Sequence, residues 1–474
     1  MTILPLNPTS NQSSESLRAF LLQCCARARE AGRPQLVSIS LAVDHLDPLA
    51  VLESIFDPGE LHFYAERPAQ GFAVAGAEIA LEFSAAGPDR FTAARDFIAA
   101  ALADTIAVGP LEEPFAGPHF FFASGFSAAA NPAAPFPALR LFVPRWQVAR
   151  LGDRTVAVAN LLVPADAPVD LLTAKVWKAH AKFRAFDYRR ARRKDRPSAP
   201  IQSEEIGGEG TYQRAVAQAL QEIARGDYRK VVLARARHLT TPEEFFPLGV
   251  LNHLRQHYPG CYAFSIANGR GQSFIGASPE RLVRVAGGRM HTEALAGSAP
   301  RGESASEDAA LARALLHSEK DLREHQLVVG SIARRVADLG LKLEHADQPR
   351  LLGLANVQHL HLPISATLPA GVHILDLVAR LHPTPAVGGT PREPAVAAIA
   401  RLEKFARGLY GGPQGWVDHR GGGEFFVGIR SALIDGRTAT VYAGAGIVAG
   451  SDPEKEFAET ELKFKALIEA LTHA

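Results

Sequence analysis

Cysteine, methionine and tryptophan are scarce: three, two and three among 474 residues. Cys24 and Cys25 are adjacent, Cys261 lies far from both, and no Cys-x-x-Cys spacing occurs. That disfavours a disulfide framework or a zinc ribbon and makes a reducing cytoplasm the expected setting. No run of 18 or more uninterrupted apolar residues occurs, and the opening MTILPLNPTSNQSSES has no basic segment before an apolar one. The expectation is a soluble, cytoplasmic protein with neither a membrane span nor a secretory leader. An excess of one charge is missing too. Lys plus Arg number 51 and Asp plus Glu 50, a formal net charge of +1. No global field draws such a chain to nucleic acid or an anionic membrane, so any anion site has to be local.

The rest is an ordinary globular mix, 47% hydrophobic and 21% charged, which excludes disordered, collagen-like and coiled-coil classes. The length leaves room for two or three domains or one large one. One composition break stands out. Lys175 to Arg196 is strongly basic and runs into Pro197-Ser198-Ala199-Pro200. It reads as a solvated helix leading into a linker. No aromatic platform, zinc motif or helix-turn-helix accompanies it to support nucleic-acid binding. The break divides the chain into a first region, 1–200, and a second region, 201–474.

In the second region helices alternate with hairpins. Val216, Leu220 and Ile223 at helical spacing predict a helix over Tyr212 to Arg225, and Lys230 to Leu239 reads as a β-branched-rich strand. Three hairpin signals follow. Tyr262–Ala267 and Ser273–Ala277 flank Asn268-Gly269. Leu282–Val285 and Met290–Leu295 flank Gly287-Gly288. Phe425–Ile434 and Thr438–Ala443 flank Asp435-Gly436. Long helices are expected over Ser306 to Leu339, with a break inside it, and over Pro453 to Leu471. Antiparallel hairpins mixed with helices make an α+β pattern rather than repeated βαβ units. A faint duplication runs through the chain. Phe72–Phe83 (FAVAGAEIALEF) resembles Phe274–Val285 (FIGASPERLVRV), and GDRTVAVANLLV from Gly152 resembles DGRTATVYAGAGIV from Asp435, in the same order. Chance likeness of alternating strands is the competing explanation.

Four groups of residues could carry chemistry. Asp321 and Glu324 stand at i and i+3 on one predicted helix, and Glu456 and Glu459 on another, so each pair shares a helix face. Such carboxylates are either solvated faces or, if they converge, all-oxygen ligands suited to Mg²⁺. The second helix opens on Asp452 as N-cap and Pro453 at its first position, directly after the small-residue strand end Tyr442-Ala443-Gly444-Ala445-Gly446. That end is either a plain turn or a backbone that a ligand carboxylate approaches closely. Lys230 opens an apolar strand on the face of Val232, Ala234 and Ala236. It either keeps its amine in water or is buried, where desolvation would suit it to act as a general base. Glu280 either pairs with Arg281 or Arg284 at the surface or is a buried acid kept protonated.

Across residues 210 to 474 the chain resembles the chorismate-utilising enzymes: isochorismate synthase, salicylate synthase, and the first components of anthranilate and aminodeoxychorismate synthases. The resemblance rests on nine blocks in family order: KVVLARAR, FIGASPERLVRV, TEALAGSAPRG, SEKDLREHQLVV, VQHLHLPISATL, LHPTPAVGG, RGLYGGPQGWVD, FFVGIRSALI and YAGAGIVAGSDPEKEFAETELKFKAL. Within 1–200, GELHFYAERPAQGFAVAG resembles isochorismate synthases in particular.

The resemblance implies one large α+β unit, two antiparallel sheets packed face to face with helices outside and a central cleft. It implies chorismate as substrate and Mg²⁺ as cofactor. Glu324 and Glu459 are implied as principal ligands, with Asp321 and Glu456 acting directly or through water. Arg430, Tyr410, Lys463 and the Gly446 N–H are implied to hold the enolpyruvyl carboxylate, and Gly297, Ser298 and His359 to line the pocket near the ring. Lys230 would deprotonate the water that attacks ring C2, and Glu280 would protonate the leaving C4 hydroxyl. Ala296 stands where many aminodeoxychorismate synthases carry a nucleophilic lysine, which disfavours covalent amine catalysis. Isochorismate synthase is the reading these residues favour, with salicylate synthase the alternative. An anthranilate synthase component and a non-catalytic binding protein fit less well. A monomer without an obligatory amidotransferase subunit is the family expectation.

Overall fold

A computed structural model describes residues 2–3, 13–184, 201–353 and 357–473. Lys175 to Arg184 lie in the helix Val169–Arg184, while Arg196 and the Pro197–Pro200 linker lie outside the described residues. The strands form two layers. In the first, ten strands run in the order Gln35–Val43, Arg154–Val163, Leu139–Leu151, Phe72–Ala85, Leu61–Arg67, Tyr262–Asn268, Gln272–Ser278, Ser431–Asp435, Thr438–Val448 and Lys230–Thr240, every neighbour antiparallel. Five strands come from each half of the chain, mirrored about the Leu61–Arg67/Tyr262–Asn268 pair. The duplicated segments occupy equivalent places in that order, so the repeat read in the sequence is a repeat in the fold. Among the described residues parallel pairing occurs only at one edge, where Ile106–Val108 lies between Gln35–Val43 and Thr2–Ile3.

The second layer runs His119–Ser124, Pro413–Asp418, Gly423–Val427, Arg281–Ala286, Arg289–Pro300 and Val357–Thr367. The layers are not separate sheets. Phe72–Ala85 and Leu139–Leu151 are long enough to serve both, and bend where the register shifts between Ile79 and Leu81. Aromatic rings fill the space between the layers. Phe63 stacks on Phe121 at 4.7 Å, Tyr262 on Phe426 at 5.0 Å, and Phe72 on Trp416 at 5.1 Å. Each such pair contributes about 0.5–1.5 kcal/mol beyond its buried area.

The predicted helix Tyr212 to Arg225 is found as Thr211–Arg225, and the Asn268-Gly269 and Gly287-Gly288 hairpins both form. The expected break in the long helix falls at Ser318, between Ala305–His317 and Glu319–Val336, and the Ser318 hydroxyl accepts from the Asp321 N–H at 3.3 Å to cap the second piece. One expectation needs correction: Phe425 to Ile434 is not one strand. Gly423–Val427 belongs to the second layer and Ser431–Asp435 to the first, so the chain crosses between layers at 428–430. Arg430 makes that turn with φ of 50°, in the left-handed region. A non-glycine residue there costs on the order of 1–3 kcal/mol. Gly276 makes room for it, since a Cβ at 276 would fall 2.6 Å from the Arg430 carbonyl oxygen.

The two halves are also clamped by charge. Arg255 donates to both Asp47 carboxylate oxygens at 2.9 and 2.8 Å and to buried Glu66 at 3.3 Å. Burial works against ionisation of Asp47, yet Arg255 holds its carboxyl below the usual range. Arg255→Ala is therefore expected to cost about 1–3 kcal/mol, because it removes the shared cation from half-buried Asp47 and leaves buried Glu66 with Arg150 at 3.4 Å. A denaturant titration checks this. Loss of less than ~1 kcal/mol would place the clamp among weak surface pairs.

Candidate active site

Two connections cross between the layers side by side, one in each direction. One is Ser278-Pro279-Glu280-Arg281, between Gln272–Ser278 and Arg281–Ala286. The other is 428–430. They are tied by the Val427 N–H donating to the Glu280 carbonyl at 3.1 Å and the Ala277 N–H donating to the Arg430 carbonyl at 3.0 Å. Beside them lies a cavity reached by the strands Lys230–Thr240, Arg289–Pro300, Val357–Thr367 and Thr438–Val448 and by both acidic helices. Eleven of the thirteen residues singled out from the sequence line it, from Lys230 and Glu280 to Glu459 and Lys463. Asp321 and Glu456 do not. The cavity is small, about 90 Å³, and two lysine–glutamate pairs project from its walls.

Lys230 is 1% exposed, on the inner face of its strand, so it is not an edge lysine with its amine in water. Its Nζ donates to Glu324 Oε1 at 2.7 Å. The pair sits against Gly446, where a Cβ would come within 2.8 Å of that oxygen and 3.0 Å of Lys230 Cε. Only glycine lets the Thr438–Val448 strand pass so close. Lys463 Nζ donates to Glu459 Oε1 at 2.6 Å and to the Gly444 carbonyl at 2.7 Å. Burial opposes ionisation of Glu459, but Lys463 keeps its carboxyl below the ordinary value.

Glu280 is also buried and takes the opposite course. Arg281 does not pair with it; the Arg281 guanidinium donates to Glu424 at 2.8 Å. Burial first, and the nearby Glu293 carboxylate second, raise the Glu280 carboxyl to about 8 against the pull of Lys230. It is protonated at neutral pH. The Thr384 hydroxyl donates to its Oε1 at a long 3.4 Å. Glu293 stays ionised because His361 at 2.9 Å and Arg281 outweigh its burial. Two carboxyls thus sit together with their proton affinities pushed apart, the usual arrangement of an acid beside a fixed charge.

The far wall offers anion-binding groups. Arg430 makes no side-chain hydrogen bond or ion pair among the described residues, and its guanidinium reaches the cavity from the strained turn. Tyr410 stacks on Tyr442 at 5.2 Å, and its hydroxyl lies against Gly444, where a Cβ would be 2.9 Å away. A bulge between Leu295 and Ser298 turns Gly297, with φ of 82°, toward Asp321. It also brings the Ser298 hydroxyl within 2.8 Å of His359 Nδ1. Burial lowers His359 to about 3, so the ring is neutral, and its buried Nε2 has no protein partner.

Sequence reasoning missed Arg407, Thr384 and Glu293. Arg407 is buried, ion-paired to Glu403 and hydrogen-bonded to the Val387 and Val232 carbonyls at 2.8 Å each. All three lie inside blocks already quoted. Their signal is a polar residue among small and apolar neighbours.

The four acidic residues are an all-oxygen donor set, chemically fitted to Mg²⁺. Burial and the other carboxylates raise Asp321 and Glu456, so negative charge is crowded there. Three ammonium groups offset that charge: Lys230 on Glu324, Lys463 on Glu459 and Lys320 on Glu456 at 3.2 Å. With those pairs made, no group of three or more His, Cys, Asp or Glu among the described residues is gathered tightly enough to enclose an ion.

Residues 20–472 match the family described as chorismate binding enzyme. The chain belongs to the chorismate-binding enzyme family. Within the family, it is 37% identical over 466 residues to the salicylate biosynthesis isochorismate synthase of Pseudomonas aeruginosa, spanning 98% of this chain and 95% of that one. It is 37% identical over 330 residues to isochorismate synthase MenF of Bacillus subtilis, 70% of this chain and 69% of the relative. Among solved structures it resembles MenF, the menaquinone-specific isochorismate synthase from Escherichia coli, at 26% identity and a TM-score of 0.76, covering 96% of this chain and 99% of that one. The fold is shared further with anthranilate synthase component I from Streptococcus pneumoniae, at 21% identity and a TM-score of 0.69, covering 84% and 92%. The family and its α+β layers are those the nine blocks implied. No helix among the described residues is long and apolar enough to cross a membrane.

The raised Glu280 carboxyl sets a pH dependence with a definite sign. The folded state holds its proton up to about pH 8, while the unfolded chain releases it near the ordinary carboxylate value. Its contribution to stability is therefore complete below the unfolded value and lost as pH rises through the folded one. Glu280→Gln removes that loss. Between pH 5 and 8 the variant's melting temperature is expected to fall less than the wild type's. Equal slopes would show that Glu280 is not held protonated.

Proposed function

We propose that the protein converts chorismate to isochorismate, with Lys230 as general base and Glu280 as general acid. The observation that carries this reading is that a buried amine and a buried, protonated carboxyl line the same cavity. Water is a weak nucleophile until a base takes its proton, and hydroxide leaves poorly until an acid supplies one. Nζ of Lys230 takes a proton from the water that attacks ring C2. Glu280 gives its proton to the C4 hydroxyl, which leaves as water while the ring double bonds shift. One water enters at C2 and one leaves from C4, so the substrate's oxidation level is unchanged, while the lysine has gained one proton and the glutamic acid has lost one.

Chorismate and a cation bring new partners of opposite charge to the lysine–glutamate pairs, which part when they bind. Lys230 is free to take the proton of the water once the Glu324 carboxylate has turned to the cation and left its Nζ. Arg430, free of other partners, and Lys463, once off Glu459, suit the enolpyruvyl carboxylate. Tyr410 and the Gly446 N–H complete that side, and Gly297, Ser298 and neutral His359 face the ring. We place Mg²⁺ at Glu324 and Glu459, supported by Asp321 and Glu456, where it would supply positive charge opposite the ring carboxylate.

A product assay tests the reading. Chorismate with Mg²⁺ is expected to give isochorismate, equal in mass, with no pyruvate. Salicylate plus pyruvate would move the assignment to a salicylate synthase. Lys230→Ala is expected to cut turnover by about 10²–10⁴ while leaving chorismate binding largely intact; near-normal turnover would remove Lys230 as the base. Glu324→Gln is expected to raise the Mg²⁺ concentration needed for half-maximal activity. An unchanged value would exclude Glu324 as a ligand.

A further inference from the structure

Away from the active site, an open cavity of about 540 Å³ lies between the end of the Glu319–Val336 helix, the Thr390–Pro391 turn and the residue just before the Lys230–Thr240 strand. Five arginines line it: Arg229, Arg334, Arg335, Arg380 and Arg392. Against them stand two carboxylates, Asp338 and Glu393. In a chain of net charge +1, this is a strong local excess of positive charge.

The arginines are not paired off within the protein. Only Arg380 has an ion pair, to Asp338 at 2.8 Å. Arg335 gives its hydrogen bonds to the carbonyls of Leu381 and Pro383, and Arg392 to that of Arg380, which fixes the guanidiniums without neutralising them. Arg229 and Arg334 have no side-chain partner among the described residues. Burial first, and then the neighbouring Arg392, lower Arg335 to about 9 against the pull of Glu393. A cation cluster held this way costs free energy in the empty state, and an anion recovers it.

We propose that this cavity is a second anion site that takes a small phosphate-bearing molecule. The assignment is independent of the reaction proposed above. Guanidinium forks match phosphate oxygens two at a time, and multiple charge favours phosphate over a lone carboxylate. The guanidiniums come from three helices and a strand end, and backbone carbonyls hold those of Arg335 and Arg392 in place before a ligand arrives.

Inorganic pyrophosphate is the probe, titrated into the full chain by calorimetry in Mg²⁺-free buffer. Saturable one-to-one binding is expected. Arg334→Glu and Arg229→Glu, each at an exposed position on a different element, are expected to weaken it about tenfold or more, the worth of a charged hydrogen bond. Their melting temperatures should be no lower than the wild type's, since each removes a like charge from the cluster. Added chorismate should leave the pyrophosphate affinity unchanged. Three results would overturn the proposal: no saturable heat, wild-type affinity in both variants, or competition by chorismate, which would put the anion in the active-site cleft.

Discussion

The chain has to cross twice between two sheet layers within one small region, and the candidate chemistry is gathered at those crossings. A crossing residue cannot continue either ladder, so it is released from the alternation that fixes side chains within a strand. Glu280 sits in one crossing and Arg430 in the other, each held by a backbone hydrogen bond to the neighbouring connection. Both side chains reach the interior between layers, where water is scarce. Burial works against the charge of each. It keeps the carboxyl of Glu280 protonated, with the Glu293 carboxylate adding to the shift. Arg430 sits in a strained turn with no side-chain hydrogen bond or ion pair among the described residues, which suits an incoming carboxylate.

The remaining charges are arranged in pairs that a ligand can exchange. Buried ions are tolerated only when paired, and pairing lysines with the acidic residues meets that condition in the protein alone. The same lysines fit the proposed reaction, one as a base and one as a carboxylate clamp. The protein thus keeps its working groups neutralised by one another, and substrate and cation would replace those contacts with new ones of similar strength. Glycine at 446 and at 444 is what allows the groups to lie this close, since a Cβ at either would collide with the side chains in question.

Much of this was legible in the sequence, and what was not has a physical reason. Helix pairs at i and i+3, the Asp452 cap and the hairpin turns are local, and their outcomes follow from spacing. The family blocks supplied the thirteen site residues, and the fold brings eleven of them to one cavity. The strand expected over Phe425 to Ile434 was misread because its alternation does not stop at the crossing. Nothing in Gly428-Ile429-Arg430 announces a change of layer, and the turn depends on Gly276, more than 150 residues away. The Lys230–Glu324 pair was likewise out of reach, because the two meet only through tertiary packing, whereas Glu459 and Lys463 stand at i and i+4 on one helix. The arginine cavity draws on residues from 229 to 393 and has no motif at all.

The mirrored halves explain why only one of them carries a site. Lys230 pairs with Val448 at the end of its ladder, and Gln35 pairs with Val163 at the matching place in the other half. Two residues along, Val232 faces Gly446, but Val37 faces Leu161. A leucine there fills the volume that glycine leaves open, and it packs with Val37 and Val163 into a hydrophobic cluster. The helix that follows, Val169–Arg184, places Leu172, Val176 and Trp177 in that cluster, whereas Pro453–His473 turns Glu456 and Glu459 inward. Gln35 gives its amide to the Arg33 carbonyl and faces no acid. The two halves share one backbone plan. What separates a packed core from a reactive cavity is glycine in place of leucine on one strand and acidic residues in place of apolar ones on one helix.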